Sequence, residues 1–240
     1  MLTKKKILQI DFTEDDLQSI LEYIVEKLQK NTKKFYIVTP NPELLMIANK
    51  DRDYKNILNQ AEIALPDGIG VLFAGQILGK PLHGRITGVD FMEFLCERLS
   101  KRPITVGFLG GSGDVADMTA ECLRQKYPGL SVSFISQEVP ENLQDVKCDM
   151  LFVAFGSPKQ EKWIAQNLEK LPIKAAMGVG GAFDMISKRF LRAPSFMQKL
   201  GLEWLFRLIT QPWRLKRQLR LLQFVFLVFQ KRLFLPLNRN

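Results

Sequence analysis

The chain has 240 residues, 46% of them hydrophobic and 25% charged, with a net charge of +9 at pH 7. Those values are ordinary for a globular protein with a substantial core, and the longest apolar run, Leu221 to Phe229, is far short of the ~20 residues that span a bilayer. The charge is concentrated at one end: from Lys188 onward stand 12 of the 34 Lys and Arg but one of the 25 Asp and Glu, Glu203, which points to a polyanionic partner.

The N-terminus, "MLTKKKILQIDFTEDD", carries lysines without the apolar core of a signal peptide. The stretch "TEDDLQSILEYIVEKLQK" predicts a helix with Leu17, Ile20, Leu21, Ile24, Val25 and Leu28 on one face and Thr13 as N-cap. Six short runs then read as strands: "FYIVT", "AEIAL", "ITVGFLG", "VSFIS", "MLFVAFG" and "AAMGVGG". They are nearly continuous apolar runs, as in strands buried on both faces, so the predicted fold is α/β, a Rossmann-like, mostly parallel sheet flanked by helices. "GDVADMTAECLRQKYPG" predicts a helix stopped by Pro-Gly. The cysteines, Cys96, Cys122 and Cys148, are scattered and read as buried thiols of a reducing compartment. No metal-binding spacing is present, and His83 is the only histidine.

In open α/β sheets, ligands collect beyond the carboxyl ends of strands. Thr39 and Asn41 follow the first predicted strand, and Asp67 in "LPDGIG" follows the second. A carboxylate there either caps a helix or serves as a general base. "LGGSGDVA" places Gly110, Gly111 and Gly113 between a strand and a helix, either as a tight turn or as a cradle for a nucleotide diphosphate. Glu138 follows the next strand, where a dinucleotide-binding protein holds a ribose. In "FGSPKQEKW", Gly156 ends a strand, Ser157, Pro158 and Glu161 fit helix-start roles, and Lys159 and Gln160 are candidates to hold a sugar or phosphate. Gly180 and Gly181 end the last strand. Arg85 is polar without an evident structural role.

From Trp213 the spacing predicts an amphipathic helix with Leu215, Leu219, Leu222, Phe226 and Phe229 on one face. Arg214, Arg217 and Arg220 fall together on another, the pattern of an interfacial helix. Its density of Phe and Leu favours a membrane surface over nucleic acid. Self-association in solution is an alternative cover for the apolar face. The predicted division is an α/β domain over 1–194 and a basic helical appendage over 195–240, in a cytoplasmic protein peripheral to the inner face of the membrane.

The stretches "VTPNPELLMIA", "ALPDGIGV", "RITGVDF", "FLGGSGDVA", "LFVAFGSPKQEKWI", "GVGGAFD" and "RAPSFMQKLGLEWLFRL" together resemble the WecG/TagA/CpsF glycosyltransferases of bacterial cell-surface polymer synthesis. Lys188 stands where members often carry Gly, and Phe196 where Trp is common. The resemblance implies transfer of N-acetylmannosamine from its UDP-sugar to the 4-hydroxyl of N-acetylglucosamine on undecaprenyl diphosphate, as in wall teichoic acid linkage-unit synthesis. The β-1,4 bond would form with inversion, without metal or other cofactor. Relatives using N-acetylmannosaminuronic acid or glucose donors keep the donor open. Within that scheme Asp67 is the expected base. Thr39 and Asn41 would orient the donor sugar or Asp67 itself, Gln160 would hold a sugar hydroxyl or phosphate, and glycine amides with Arg85 or tail arginines would bind diphosphate. Rival readings are an NAD-dependent oxidoreductase using the glycine turn and Glu138, and a membrane-recruited nucleotide sensor without turnover.

Overall fold

The structure, a computed structural model, describes residues 2–30, 33–212 and 215–234, with the side chains of 215–219 outside that description. An antiparallel hairpin, β1 (Lys4–Ile7) and β2 (Ile10–Thr13), leads into α1 (Leu17–Gln29). There follow β3 (Phe35–Val38), α2 (Pro42–Lys50), α3 (Arg52–Gln60), β4 (Ile63–Ala64), α4 (Ile69–Ile77) and α5 (Gly88–Leu99). The middle of the chain contains β5 (Thr105–Gly110), α6 (Val115–Lys126), β6 (Ser131–Ser136), β7 (Met150–Ala154), α7 (Lys159–Asn167) and β8 (Ala175–Gly178). Helices α8 (Ala182–Ile186), α9 (Ser195–Lys199), α10 (Glu203–Thr210) and α11 (Leu215–Leu233) complete it.

The six strands form one sheet in the order β4-β3-β8-β7-β5-β6, with every pairing parallel. Alternate residues of each strand enter different cores. Phe35 and Ile37 of β3 and Phe108 of β5 pack with α1, α5, α6 and α8. Tyr36, Val38 and Leu109 pack with α2, α3, α4, α7 and α11. This two-sided burial is why the strands read as unbroken apolar runs. Edge strand β6 is the exception, half-buried to exposed along its length.

The inner strands send their following helices to alternating faces, whereas α2 and α4, after the neighbours β3 and β4, share one face. After β3 the chain goes to α2 on one face, and after β8 to α8 on the other. The same reversal separates β7, followed by α7, from β5, followed by α6. Helices that diverge this way leave a crevice beyond the strand ends, the usual ligand site of such sheets.

Local signals start the helices. Asp16, not Thr13, caps α1, accepting from the Ser19 amide at 3.0 Å. Thr13 is buried at the end of β2, where its hydroxyl accepts from the Ala64 amide at 3.2 Å and ties the hairpin to the sheet. Asn41 caps α2, its Oδ1 accepting from the Leu44 amide at 3.1 Å, with Pro42 in the first turn. Thr87 caps α5.

Helix α11 packs across α2 and α4 and buries Phe224 and Val228 completely. Leu222, Phe226 and Phe229, three members of the stripe anticipated from spacing, face outward instead. No helix among the described residues is long and apolar enough to cross a membrane.

Candidate active site

Asp67 lies in the loop between β4 and α4, and its amide donates to the Pro40 carbonyl at 3.1 Å, joining the ends of β3 and β4. It does not cap α4: Gly68, at φ 89°, holds that position without a side-chain cap. The carboxylate instead accepts from the backbone N–H of Gly88, in the first turn of α5. Thr39 is at the same place, because a Cβ on Gly88 would lie 3.3 Å from Thr39 Oγ1. The end of β3, the end of β4 and the start of α5 therefore converge on one carboxylate.

The surroundings of Asp67 oppose its ionisation. Although its surface is only half-buried, the crevice walls desolvate the carboxyl and push its pKa up to about 6. Arg207 acts against that rise, Glu203 adds to it, and Arg85 and the Gly88 amide act against it more weakly. A carboxylate held near neutrality in a crevice suits proton abstraction.

Two of those groups come from α10. Glu203 is buried and receives a 2.8 Å hydrogen bond from Arg207 one turn later. Arg207 also donates to Met185 Sδ, while its Nε is buried with no hydrogen-bond partner among the described residues. Neither residue is among those the sequence singles out by position after a strand. A signal is nonetheless present: Glu203 is the lone acid of the basic segment, four residues before an arginine, a spacing that pairs on a helix. Arg85 is held beside α9 by a 2.8 Å bond from its guanidinium to the Gln198 carbonyl. Arg192, in the loop after α8, lies 2.6 Å from Asp90 Oδ1 in the first turn of α5. That ion pair aside, Nε and Nη2 of Arg192 are buried with no hydrogen-bond partner among the described residues.

The other candidate residues divide into two groups. Gly110, Gly111 and Gly113 all have positive φ and form the turn into α6, but the Gly111 amide already donates to the Ala154 carbonyl at 3.1 Å. Arg189 overhangs this turn and donates to the Ser112 carbonyl at 2.6 Å. Gly156 turns at φ 75° after β7, with open space where a Cβ would stand. Gly181 begins α8 at the surface, and Lys159 is exposed.

Gln160 has a different position from the one its sequence context suggested. It is buried, its Oε1 accepts from the Gly180 amide at 2.9 Å, and its Nε2 donates to Ser157 and Glu161. It shapes the turn after β8 from inside. Glu161 is likewise buried rather than reaching back to cap α7, accepting from Ser157 and Tyr54 as well. Burial pushes the Glu161 carboxyl up, and it raises the Tyr54 hydroxyl too.

Glu138 is exposed beside edge strand β6, at the opposite end of the sheet order from β4. Arg220 pairs with Glu43 in the first turn of α2 at 2.7 Å, two residues from the Asn41 cap. Arg214 lies outside the described residues, as does the side chain of Arg217. No group of three or more His, Cys, Asp or Glu among the described residues is placed to hold a metal ion.

A parallel α/β sheet that gathers a desolvated carboxylate and arginines beyond the carboxyl ends of β3 and β4 has the form of an enzyme site suited to an anionic substrate. The chain belongs to the Glycosyl transferase WecG/TagA/CpsF family, whose family model matches residues 5–237, and it is therefore a glycosyltransferase. It is 35% identical over 228 residues to the N-acetylglucosaminyldiphosphoundecaprenol N-acetyl-beta-D-mannosaminyltransferase of Bacillus spizizenii, covering 92% of this chain and 89% of the relative. The protein of the same name in Bacillus subtilis is 32% identical, with 92% and 90% covered. That in Staphylococcus aureus is 31% identical, with 89% and 87% covered. The dehydrogenase reading of the glycine turn is thereby set aside.

Proposed function

We propose that the protein transfers N-acetylmannosamine from UDP-N-acetylmannosamine to the 4-hydroxyl of N-acetylglucosamine on undecaprenyl diphosphate, with inversion. The observation that carries this reading is the desolvated Asp67 carboxylate, flanked by Arg85 and Arg207 and fixed by the Gly88 amide. The names of the relatives supply the acceptor and the transferred sugar.

The chemistry follows from the charges. Asp67 accepts the proton of the acceptor hydroxyl as its oxygen bonds to the anomeric carbon. The bond from that carbon to the UDP oxygen breaks, and UDP leaves with the electron pair. Thr39 orients the carboxylate or the donor sugar. Negative charge grows on the departing diphosphate, and groups set in place beforehand stabilise it without reorganising. The N–H groups of Arg207 and Arg192 that have no hydrogen-bond partner among the described residues, together with Arg85, supply such charge without a metal. Arg214, Arg217 and Arg220 are further candidates from the tail. The exposed Leu222 and Phe226 and the surplus of cations bring the site to the cytoplasmic face of an anionic membrane. Basic residues at such a surface contribute about 1 kcal/mol each.

The test is mass spectrometry of N-acetylglucosaminyl-diphosphoryl-prenol after incubation with separate UDP-sugars. Product one N-acetylhexosamine heavier with UDP-N-acetylmannosamine supports the reading. Product only with UDP-N-acetylmannosaminuronic acid or UDP-glucose overturns the donor, and no product with any of them overturns the reaction.

A further inference from the structure

Helix α4 begins two residues after Asp67, and its sequence, "IGVLFAGQI", contains no charge. Val71, Ala74 and Gly75 face the core, as an α4 packed on one side requires. The opposite side is apolar too: Ile69 is 47% exposed and Phe73 is 44% exposed. One helical turn, about 6 Å along the axis, separates them. A polar or charged residue would cost nothing at either position in water, so the apolar pair calls for a contact.

Two other elements wall this face. On one side the turn between α9 and α10 packs on it: a Cβ at Gly201 would lie 2.8 Å from Ile69 Cδ1. On the other, Leu221 of α11 approaches Gly70, and Phe229 meets Phe73 edge-to-face with ring centroids 6.3 Å apart. Phe229 is itself 48% exposed. Ile69, Phe73 and Phe229 thus form an apolar track of side chains that begins two residues from Asp67 and continues along α4 to α11, bordered by the α9–α10 turn. At its inner end stand Arg85 and Arg207. Cations leading into an apolar run match an amphiphile whose diphosphate comes first and whose hydrocarbon comes after it.

We infer that Ile69, Phe73 and Phe229 seat the first isoprenoid units of the acceptor, next to its diphosphate. The inference rests on the proposed function, and it concerns the chain attached to the substrate rather than bulk lipid. The track opens beside Asp67 itself, where only a hydrocarbon tethered to the reacting sugar is brought in every turnover. The outward Leu222 and Phe226 of α11, by contrast, border a cavity with Met46 and Lys50 of α2. The lipid thus contributes to acceptor recognition directly, and turnover depends on the hydrocarbon bonded to the diphosphate even without a bilayer.

The test is calorimetric titration of the full chain, without vesicles, using farnesyl diphosphate and methyl diphosphate. The wild type is expected to favour the farnesyl compound by about tenfold or more, from the apolar area covered. Phe73→Ser, and separately Phe229→Ser, should bring the ratio to within about twofold, whereas Leu191→Ser, a substitution at an exposed loop residue elsewhere, should retain it. Thermal midpoints check that each variant is folded, and agreement between two variants on different helices separates a lost contact from local damage. Equal wild-type affinity for the two compounds overturns the inference. So does a Phe73→Ser and Phe229→Ser pair that keeps the preference while losing sedimentation with phosphatidylglycerol vesicles, which would assign the patch to the bilayer. The titration contains no sugar donor, so farnesyl preference without transfer sinks the proposed reaction alone, and transfer without farnesyl preference sinks the isoprenoid seat alone.

Discussion

Replacing Asp67 with Asn should make the protein more stable and nearly inactive. The carboxyl's pKa is raised from 3.8 to about 6, chiefly by desolvation. A group whose folded pKa exceeds its unfolded one binds the proton more tightly in the folded state, so stability falls as pH rises from about 4 to about 6. Above that window the cost is complete, and the difference between the two values corresponds to about 3 kcal/mol. That figure is a ceiling, because Asp67 is only half-buried and the Asn amide must itself find partners. A gain of about 1–2 kcal/mol at pH 8 is expected, or a midpoint rise of about 2–6 °C for a chain of this size. At pH 5 the gain should be roughly half as large, since wild-type Asp67 is then mostly protonated in the folded state. Asn can still accept from Gly88 but cannot take the acceptor proton, so turnover should fall by about 10²–10⁴. Urea unfolding at pH 5 and pH 8, paired with a transfer assay, measures both effects. Wild-type turnover in the variant, or a stability difference independent of pH, would refute the assignment.

Wild-type kcat/KM should lose activity as pH falls through about 6, because the base must be ionised to accept a proton; a flat profile from pH 5 to 7 would count against Asp67. Gly88→Ala should separate activity from stability. The added methyl group would lie 3.3 Å from Thr39 Oγ1, so Thr39 must shift by a few tenths of an ångström. Alanine's better helix propensity offsets much of that strain, which keeps unfolding free energy within about 1 kcal/mol of wild type. A misplaced Thr39 beside the base should nevertheless lower kcat by about tenfold or more, as steady-state kinetics would show. Combined Leu222→Glu and Phe226→Glu should leave the thermal midpoint unchanged, because both side chains face water, but sedimentation with anionic vesicles should be lost.

The parallel sheet was legible because its strands are buried on both faces, which writes the same apolar code six times. Edge strand β6 diluted that code but kept enough Val, Phe and Ile to be read. The N-terminal hairpin was hidden for two reasons. Three consecutive lysines, Lys4 to Lys6, obscure β1, and its turn uses Leu8 and Gln9 at φ 46° and 68° rather than a recognisable Gly or Asn. Asp67 was readable as a polar residue immediately past a strand. Its partners were less so, because Gly88, Glu203 and Arg207 reach it only through tertiary folding. Gln160 shows the reverse difficulty: a polar residue after a strand suggested a ligand, yet its side chain is consumed inside the protein, bonded to the Gly180 amide and to Glu161. Helix α11 was correctly anticipated as a helix. Its inward face was not, because Phe224 and Val228 are no greasier than the outward Leu222 and Phe226.

That doubly apolar helix has a thermodynamic consequence. Apart from Phe229, which meets Phe73 while half-exposed, the residues that anchor α11 to α2 and α4 are distinct from those it shows to solvent. Whatever covers the outer row need not unpack the inner one, so the two burials add rather than compete. By mass action, a partner that binds that row in the native chain and not in the unfolded one raises its resistance to denaturation, increasingly with the partner's concentration.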